Sequence, residues 1–299
     1  MAAPVILARA LEKRFGEVPA VAGLDLTVPP GICLGLLGPN GAGKTTTMRM
    51  IMGLTVPSGG RLEVLGRPPA ALSRAERRRI GLVPQDSNLD PDLSVVQNLT
   101  VYGGYFGLPA AVVRRRVPAL LAFMQLTEKA HARVNQLSGG MKRRLVIARA
   151  LVAEPELVIL DEPTTGLDPQ ARLLIWRQLL QLKGAGKTLL LTTHYMDEAQ
   201  RLCDRIVLID GGRILAEGSP DELIHRHVHG HVVAVAKPVP RTLEGNGLAH
   251  EDVGDRVLFY VAAPHAVIDH LPPDAVYLHR PANLEDVFLR LTGRKLREG

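Results

Sequence analysis

Aromatic side chains are scarce in this chain, with five Phe, five Tyr and one Trp among 299 residues. Its core must therefore be built from Leu, Val, Ile and Ala. Cysteine is scarcer still. Cys33 and Cys203 lie far apart and neither belongs to a C-x-x-C pair, which argues against a disulfide framework or a zinc knuckle. Two small buried apolar side chains in a reducing compartment are expected instead. No stretch approaches the roughly 20 consecutive apolar residues that span a bilayer. Arg9, Lys13 and Arg14 are not followed by an apolar run, so a cleaved signal peptide is not expected and the chain is read as staying on the cytosolic side. Internal repeats and low-complexity tracts are missing too. What is left has the balance of an ordinary globular protein, 46% hydrophobic and 22% charged residues.

The formal net charge is +6. Up to His225 there are 27 Lys and Arg against 21 Asp and Glu, and beyond it 9 against 9, so the whole excess lies in the first part. It is clustered at Arg74, Arg77, Arg78 and Arg79, at Arg114, Arg115 and Arg116, and at Lys142, Arg143 and Arg144. Such clusters suit phosphates, nucleic acid or an anionic membrane surface. Solvated helix faces are the plainer reading, and charge alone does not decide between them.

Residues 5–37 read as short strands, and the apolar run Ile32 to Leu37 ends directly in a glycine-rich segment. A helical stretch follows from Thr45 to about Met52, then a turn signal at Pro57-Ser58-Gly59-Gly60. Ile80 to Val83 reads as a strand, and Leu93 to Arg133 as a mostly helical block. Strand character returns at Leu157–Leu160, Leu189–Thr192 and Ile206–Ile209, separated by helical pattern. Apolar strands alternating with helices predict a largely parallel sheet covered on both faces. Composition shifts at Gly218-Ser219-Pro220, a helix-start signal with a short helix to about His225. Two strand-like runs follow, Val232–Ala236 and Val257–Ala262. The chain closes with an amphipathic helix capped by Asn283, with Leu284, Val287, Phe288 and Leu291 at helical spacing.

The sharpest local signal is Gly38-Pro39-Asn40-Gly41-Ala42-Gly43-Lys44-Thr45, with Thr46 beside it. It fits G-x-x-x-x-G-K-S/T, follows a strand and opens a helix, as a phosphate loop requires. Glycines let successive N–H groups face a nucleotide's phosphates, and the helix start adds donors and a positive dipole. Lys44 is expected to reach the β- and γ-phosphates, and the Thr45 hydroxyl to bind Mg²⁺. Leu157-Val158-Ile159-Leu160 then delivers Asp161 and Glu162 to the carboxyl edge of the sheet. A strand ending in acids is common by itself. After a phosphate loop it reads as a Mg²⁺ carboxylate, Asp161, and a general base, Glu162. His225, His227, His229 and His231 alternate near the composition shift. They suggest a metal site, but Gly230 favours a loop and no Cys or acid completes a ligand set.

About twenty residues before the acidic pair stands Leu137-Ser138-Gly139-Gly140-Met141, which closely resembles the signature sequence of ABC ATPases. That family's other marks follow in order over residues 5 to about 222. Gln85 resembles the Q-loop glutamine, Gly166-Leu167-Asp168 the D-loop, His194 the switch histidine and Phe15 the aromatic that stacks on adenine. Taken alone, Phe15 would read as core. The resemblance implies ATP as nucleotide and catalytic roles for Glu162, His194 and Gln85, with Gln85 sharing Mg²⁺ with Thr45 and Asp161. It implies that Phe15, Ser138, Gly139, Gly140 and Asp168 join the phosphate loop in holding ATP. Ser138 to Gly140 precede a helix and so form a second anion-binding helix start. The resemblance implies that it faces ATP held by a second copy, in a head-to-tail homodimer.

The expected fold is thus α/β: a P-loop NTPase of ABC type, its mostly parallel sheet accompanied by antiparallel strands and a helical subdomain at about 86–150. Residues 1–225 form the nucleotide-binding domain and 226–299 a small C-terminal α+β accessory domain. A single nucleotide domain without a coiled-coil insertion favours a transporter ATPase over a soluble ABC ATPase acting on DNA or ribosomes. Two copies of a polytopic membrane permease are the implied partners, docked at Asp86 to Tyr105, with no nucleic acid. The cargo would touch the permease alone, and the chain would sit peripherally on the cytoplasmic face of a bacterial inner membrane. The tail from His279 to Arg294 is especially similar to nodulation-type ATPases that energise lipo-oligosaccharide export. A hydrophobic drug or antibiotic is the alternative cargo.

Overall fold

The computed structural model describes residues 3–240, 242–243 and 247–293; Arg294 of the tail lies outside them. In chain order the first part contains β1 (Ile6–Phe15), β2 (Val18–Val28), β3 (Cys33–Leu37), α1 (Lys44–Ile51), β4 (Gly59–Val64), α2 (Arg74–Arg77) and β5 (Ile80–Val83). There follow α3 (Val95–Tyr105), α4 (Ala110–Phe123), α5 (Gly139–Leu151), β6 (Leu157–Asp161), α6 (Pro169–Gly184), β7 (Thr188–Thr193), α7 (Met196–Leu202), β8 (Arg205–Asp210) and β9 (Arg213–Gly218). The last part holds α8 (Pro220–Val228), β10 (His231–Ala236), β11 (Ala249–Asp252), β12 (Arg256–Val261), α9 (His265–Ile268), β13 (Tyr277–Pro281) and α10 (Leu284–Thr292).

The central sheet has the order β5-β6-β7-β3-β8-β9, parallel except for β9 at its edge. Its inner strands are largely apolar and fully buried in β3 and β7, because helices such as α5, α6 and α7 cover one face and α1 with strands β1, β2 and β4 covers the other. A second, antiparallel sheet runs β2-β1-β4. Here the expected short strands prove to be two long ones. Register shifts between Ala8 and Leu11, and again to Arg14, break the alternation that would reveal their length.

The two cysteines, distant in sequence, meet: their Sγ atoms are 3.8 Å apart, both buried and free. The adjacent Cys33 thiol and burial push the Cys203 thiol well above its ordinary range, so Cys203 is not a reactive thiolate.

The C-terminal sheet, β11-β12-β10-β13, is antiparallel and has its own core around Val233, Leu243, Phe259 and Val267. Helix α9 packs there through Val267, but α8 and α10 belong elsewhere. Leu223 and Val228 of α8 and Leu284, Val287 and Phe288 of α10 share one buried cluster with the helices of the first part. Asn283 caps α10 as expected, accepting from the Asp286 N–H at 3.2 Å. The helix expected to end near His225 runs on to Val228. Ser219 and Glu222 form a capping box and Pro220 opens its first turn, so α8 crosses the position where the domain boundary was expected. The alternating histidines are therefore not a loop. His225 and His227 lie on α8, His229 caps it and His231 opens β10. Among the described residues no His, Cys, Asp and Glu gather in threes as metal ligands.

Candidate nucleotide site

The carboxyl ends of neighbouring strands β6, β7 and β3 carry Asp161, His194 and the phosphate loop to one edge of the sheet. The loop's shape depends on glycine. Gly38 has φ +157 and a Cβ there would stand 2.0 Å from the Ile209 carbonyl oxygen; Gly43 has φ +102 and a Cβ would stand 2.5 Å from the Ala20 oxygen. The Lys44 ammonium donates to the Gly38 and Pro39 carbonyls at 2.6 and 2.9 Å, so the loop is wrapped around its own lysine. Burial pushes Lys44 below its ordinary value, while Glu162 and Asp161 pull it back up. A cavity of about 270 Å³ is lined by Ala20, residues 40–46, Gln85, Glu162 and His194.

Glu162 is held from several sides. Its backbone lies in the left-handed region, φ +44, an uncommon conformation for a residue with a side chain. Two bonds fix it there: its N–H donates to the Thr192 carbonyl at 3.1 Å and the Thr192 hydroxyl at 3.2 Å. That hydroxyl in turn donates to Asp161 Oδ1 at 2.5 Å. At the carboxylate, Oε2 accepts from Gln85 Nε2 at 3.4 Å and from the Thr165 hydroxyl at 3.2 Å, while Oε1 lies 3.2 Å from His194 Nδ1. The structure thus brings together Lys44, Thr45, Gln85, Asp161, Glu162 and His194.

Several residues of this site were not legible as functional. The His194 ring packs at a 39° tilt against Tyr195, centroids 4.2 Å apart, and the Arg172 guanidinium covers the Tyr195 ring at 4.5 Å. Asn283 and Glu285 of α10 share a cavity of about 190 Å³ with these three side chains. Glu198, fully buried, accepts from the Thr164 hydroxyl and the Trp176 indole N–H at 2.7 and 2.9 Å, and burial pushes its carboxyl up.

Arg143 is the largest departure. Within a basic triplet it read as part of a solvated face, yet it is 7% exposed. Its guanidinium donates to the carbonyls of Pro163 at 2.7 Å, Asp161 at 2.8 Å, Glu162 at 3.1 Å and Gln85 at 3.2 Å, and to that of Pro84. Burial pushes it down to about 10, so it remains a cation at neutral pH. Its neighbour Arg144 is also half-buried, donating to the Met124 and Gln125 carbonyls at 2.7 and 3.0 Å.

The remaining expected ligands stand apart from the cavity. Ser138 and Gly139 are exposed at the start of α5, where Ser138 accepts from the Met141 N–H at 3.3 Å. Gly140 is buried, and a Cβ there would meet the Ala171 Cβ at 2.7 Å, so its lack of a side chain serves the α5–α6 contact. Asp168 is exposed and caps α6, accepting from the Ala171 N–H at 2.8 Å. Phe15 is not core: it is 56% exposed, with the Lys13 ammonium 5.1 Å from its ring centre.

The donors at the loop fit a magnesium nucleotide. Thr45, Asp161 and Gln85 offer hard oxygen ligands, which Mg²⁺ uses sparingly alongside water and phosphate. The desolvated Lys44 and the N–H groups of the loop suit the phosphates.

A phosphate loop closed around its lysine, with a second glycine-led helix start turned outward on the same chain, is the arrangement of an ABC-type ATPase. The comparisons agree. A family model for the ABC transporter matches residues 21–165, and one for the C-terminal domain of the nodulation factor export protein NodI matches residues 241–293. Nod factor export ATP-binding protein I of Cupriavidus pinatubonensis is 53% identical over 296 residues, covering 97% of this chain and 91% of that protein. A solved ATP-binding subunit of an ABC transporter superposes with a TM-score of 0.68 at 31% identity, covering 74% of this chain and 92% of that one. An ATP-binding cassette solved as a dimer in a post-hydrolysis state with ADP and Pi gives 0.65 at 28% identity, covering 72% and 98%. The chain belongs to the family of the Nod factor export ATP-binding proteins I, ATP-hydrolysing subunits of ABC transporters.

Proposed function

We propose that this chain energises export of a lipo-oligosaccharide of the nodulation-factor class through a separate polytopic membrane subunit. It works as a head-to-tail homodimer with two copies of that subunit, peripheral to the cytoplasmic face of the inner membrane. No helix among the described residues is long and apolar enough to cross a membrane, so the pore is left to the partner. The division expected at 225/226 falls inside α8, so we place it at Gly218, with the nucleotide-binding part before that helix and the accessory part from it onward. The observation that carries the catalytic reading is the Glu162 carboxylate held between Gln85 and His194 beside the phosphate loop. Glu162 takes the proton of the attacking water, His194 and Lys44 meet the γ-phosphate, and Ser138 of the second copy approaches the same phosphate. Thr45, Asp161 and Gln85 would hold Mg²⁺, which would supply charge neutralisation for the phosphates when bound. The cargo reading is supported by the match of residues 241–293 and by the names of the relatives.

The test is secretion from the native host. Cells lacking this chain should retain lipo-oligosaccharide inside, the wild-type chain should restore its export, and E162Q should not. Normal secretion in the deleted cells together with new sensitivity to a hydrophobic drug would replace the cargo and leave the ATPase assignment standing.

A further inference from the structure

We propose that Arg143 is a positioning residue for hydrolysis, the mechanical tie between the signature helix and the catalytic groups. The inference rests on the reading that Glu162 and Gln85 act in ATP hydrolysis. Arg143 sits in α5, five residues beyond Ser138, the exposed helix cap proposed above to approach a second copy's nucleotide. From there its planar fork reaches the carbonyls of Pro84 and Gln85 at the end of β5. It also reaches those of Asp161, Glu162 and Pro163 at the end of β6. Those two strands are neighbours in the central sheet, and each supplies one partner of the Gln85–Glu162 hydrogen bond. One guanidinium thus spans both halves of the catalytic pair at the backbone level and anchors them to one rigid helix.

The choice of arginine follows from the acceptors. Five carbonyl oxygens, one on Nε and two on each terminal nitrogen, match the five N–H donors of a guanidinium, whereas a lysine ammonium is a point charge with three donors. Carbonyls at the ends of strands have no further strand residue to bond, and Glu162 is bent into the left-handed region just there. Arg143 supplies the donors that hold this bend. A displacement of α5 caused by contact at Ser138 is therefore transmitted to the Glu162 and Gln85 backbone.

R143K in the full-length chain tests this, with steady-state ATPase rates and direct ATP binding measured together. Loss of the fork should lower kcat on the order of 10²-fold, as small misplacements of catalytic groups do, while ATP affinity stays at the wild-type level. The control is R144A. Its arginine leaves the same helix to bond Met124 and Gln125 carbonyls, away from the site; it should lower the melting temperature and leave kcat unchanged. Ethylguanidinium added to R143A should restore part of the lost kcat. A wild-type kcat in R143K, or a loss of ATP affinity equal to the loss of kcat, overturns the proposal. Failure of both Arg143 variants to fold would assign the residue to the fold and overturn it too. If E162Q retained normal turnover, the underlying reading would fall; a silent R143K beside an inactive E162Q removes only the tie.

Discussion

The two glycine-led helix starts of this chain have opposite surroundings. Around Gly38 to Thr45 the chain has gathered a desolvated lysine, the Glu162 carboxylate, a glutamine and a histidine into one cavity, with Asp161 beside Glu162 in the chain. Around Ser138 and Gly139 there is open surface. Both have the donors of an anion site, but only the first is provided with groups that do chemistry. The difference is that one chain holds a finished half and a bare half, which is what the proposed head-to-tail pair requires.

The sharpest way to break the finished half is E162Q. Removing a general base should lower kcat by about 10²–10⁴-fold with ATP binding retained; steady-state rates close to normal would refute the role given to Glu162. The bare half is probed by S138A, which should spare ATP binding by the monomer but suppress ATP-driven dimerisation in light scattering. It also removes a helix cap, a loss of about 1 kcal/mol to be read separately from the melting curve. An unchanged dimer would count against a site shared between copies. Tyr195→Ala, which removes the ring packed against His194, should lower kcat about tenfold through misplacement, whereas Tyr195→Phe keeps the ring and should be nearly silent. Equal losses in both variants would point to the hydroxyl instead. The mildest effect is expected at Phe15, where Ala should cost about 1 kcal/mol of stacking, roughly fivefold in ATP affinity; titration of nucleotide binding decides it.

What the sequence made legible follows from range. Strands β3, β6, β7 and β8 were visible because burial on both faces leaves largely apolar runs. Gln85, Glu162 and His194 were visible through motif order, and the structure does bring them together. The misses depend on contacts between distant segments or on broken periodicity. Nothing local distinguishes Arg143 from Lys142, because its acceptors lie about 20 and 60 residues away in the chain. Cys33 and Cys203 meet only because β3 runs beside the end of α7. Strands β9 and β13 were missed because both are edge strands, β13 exposed along most of its length; this removes the alternation that marks a half-buried strand.

The shared packing of α8 and α10 bears on how tails are exchanged between relatives. Leu223 and Val228 face one way onto the ATPase and also onto Leu284, Val287 and Phe288, so the 80 residues from Pro220 onward are not a cartridge that slots onto a finished engine. A recombination point inside α8 would mate two half-helices that had never been fitted to each other. One placed at Gly218, before the helix begins, hands over a cap, a helix and its mate as a single heirloom.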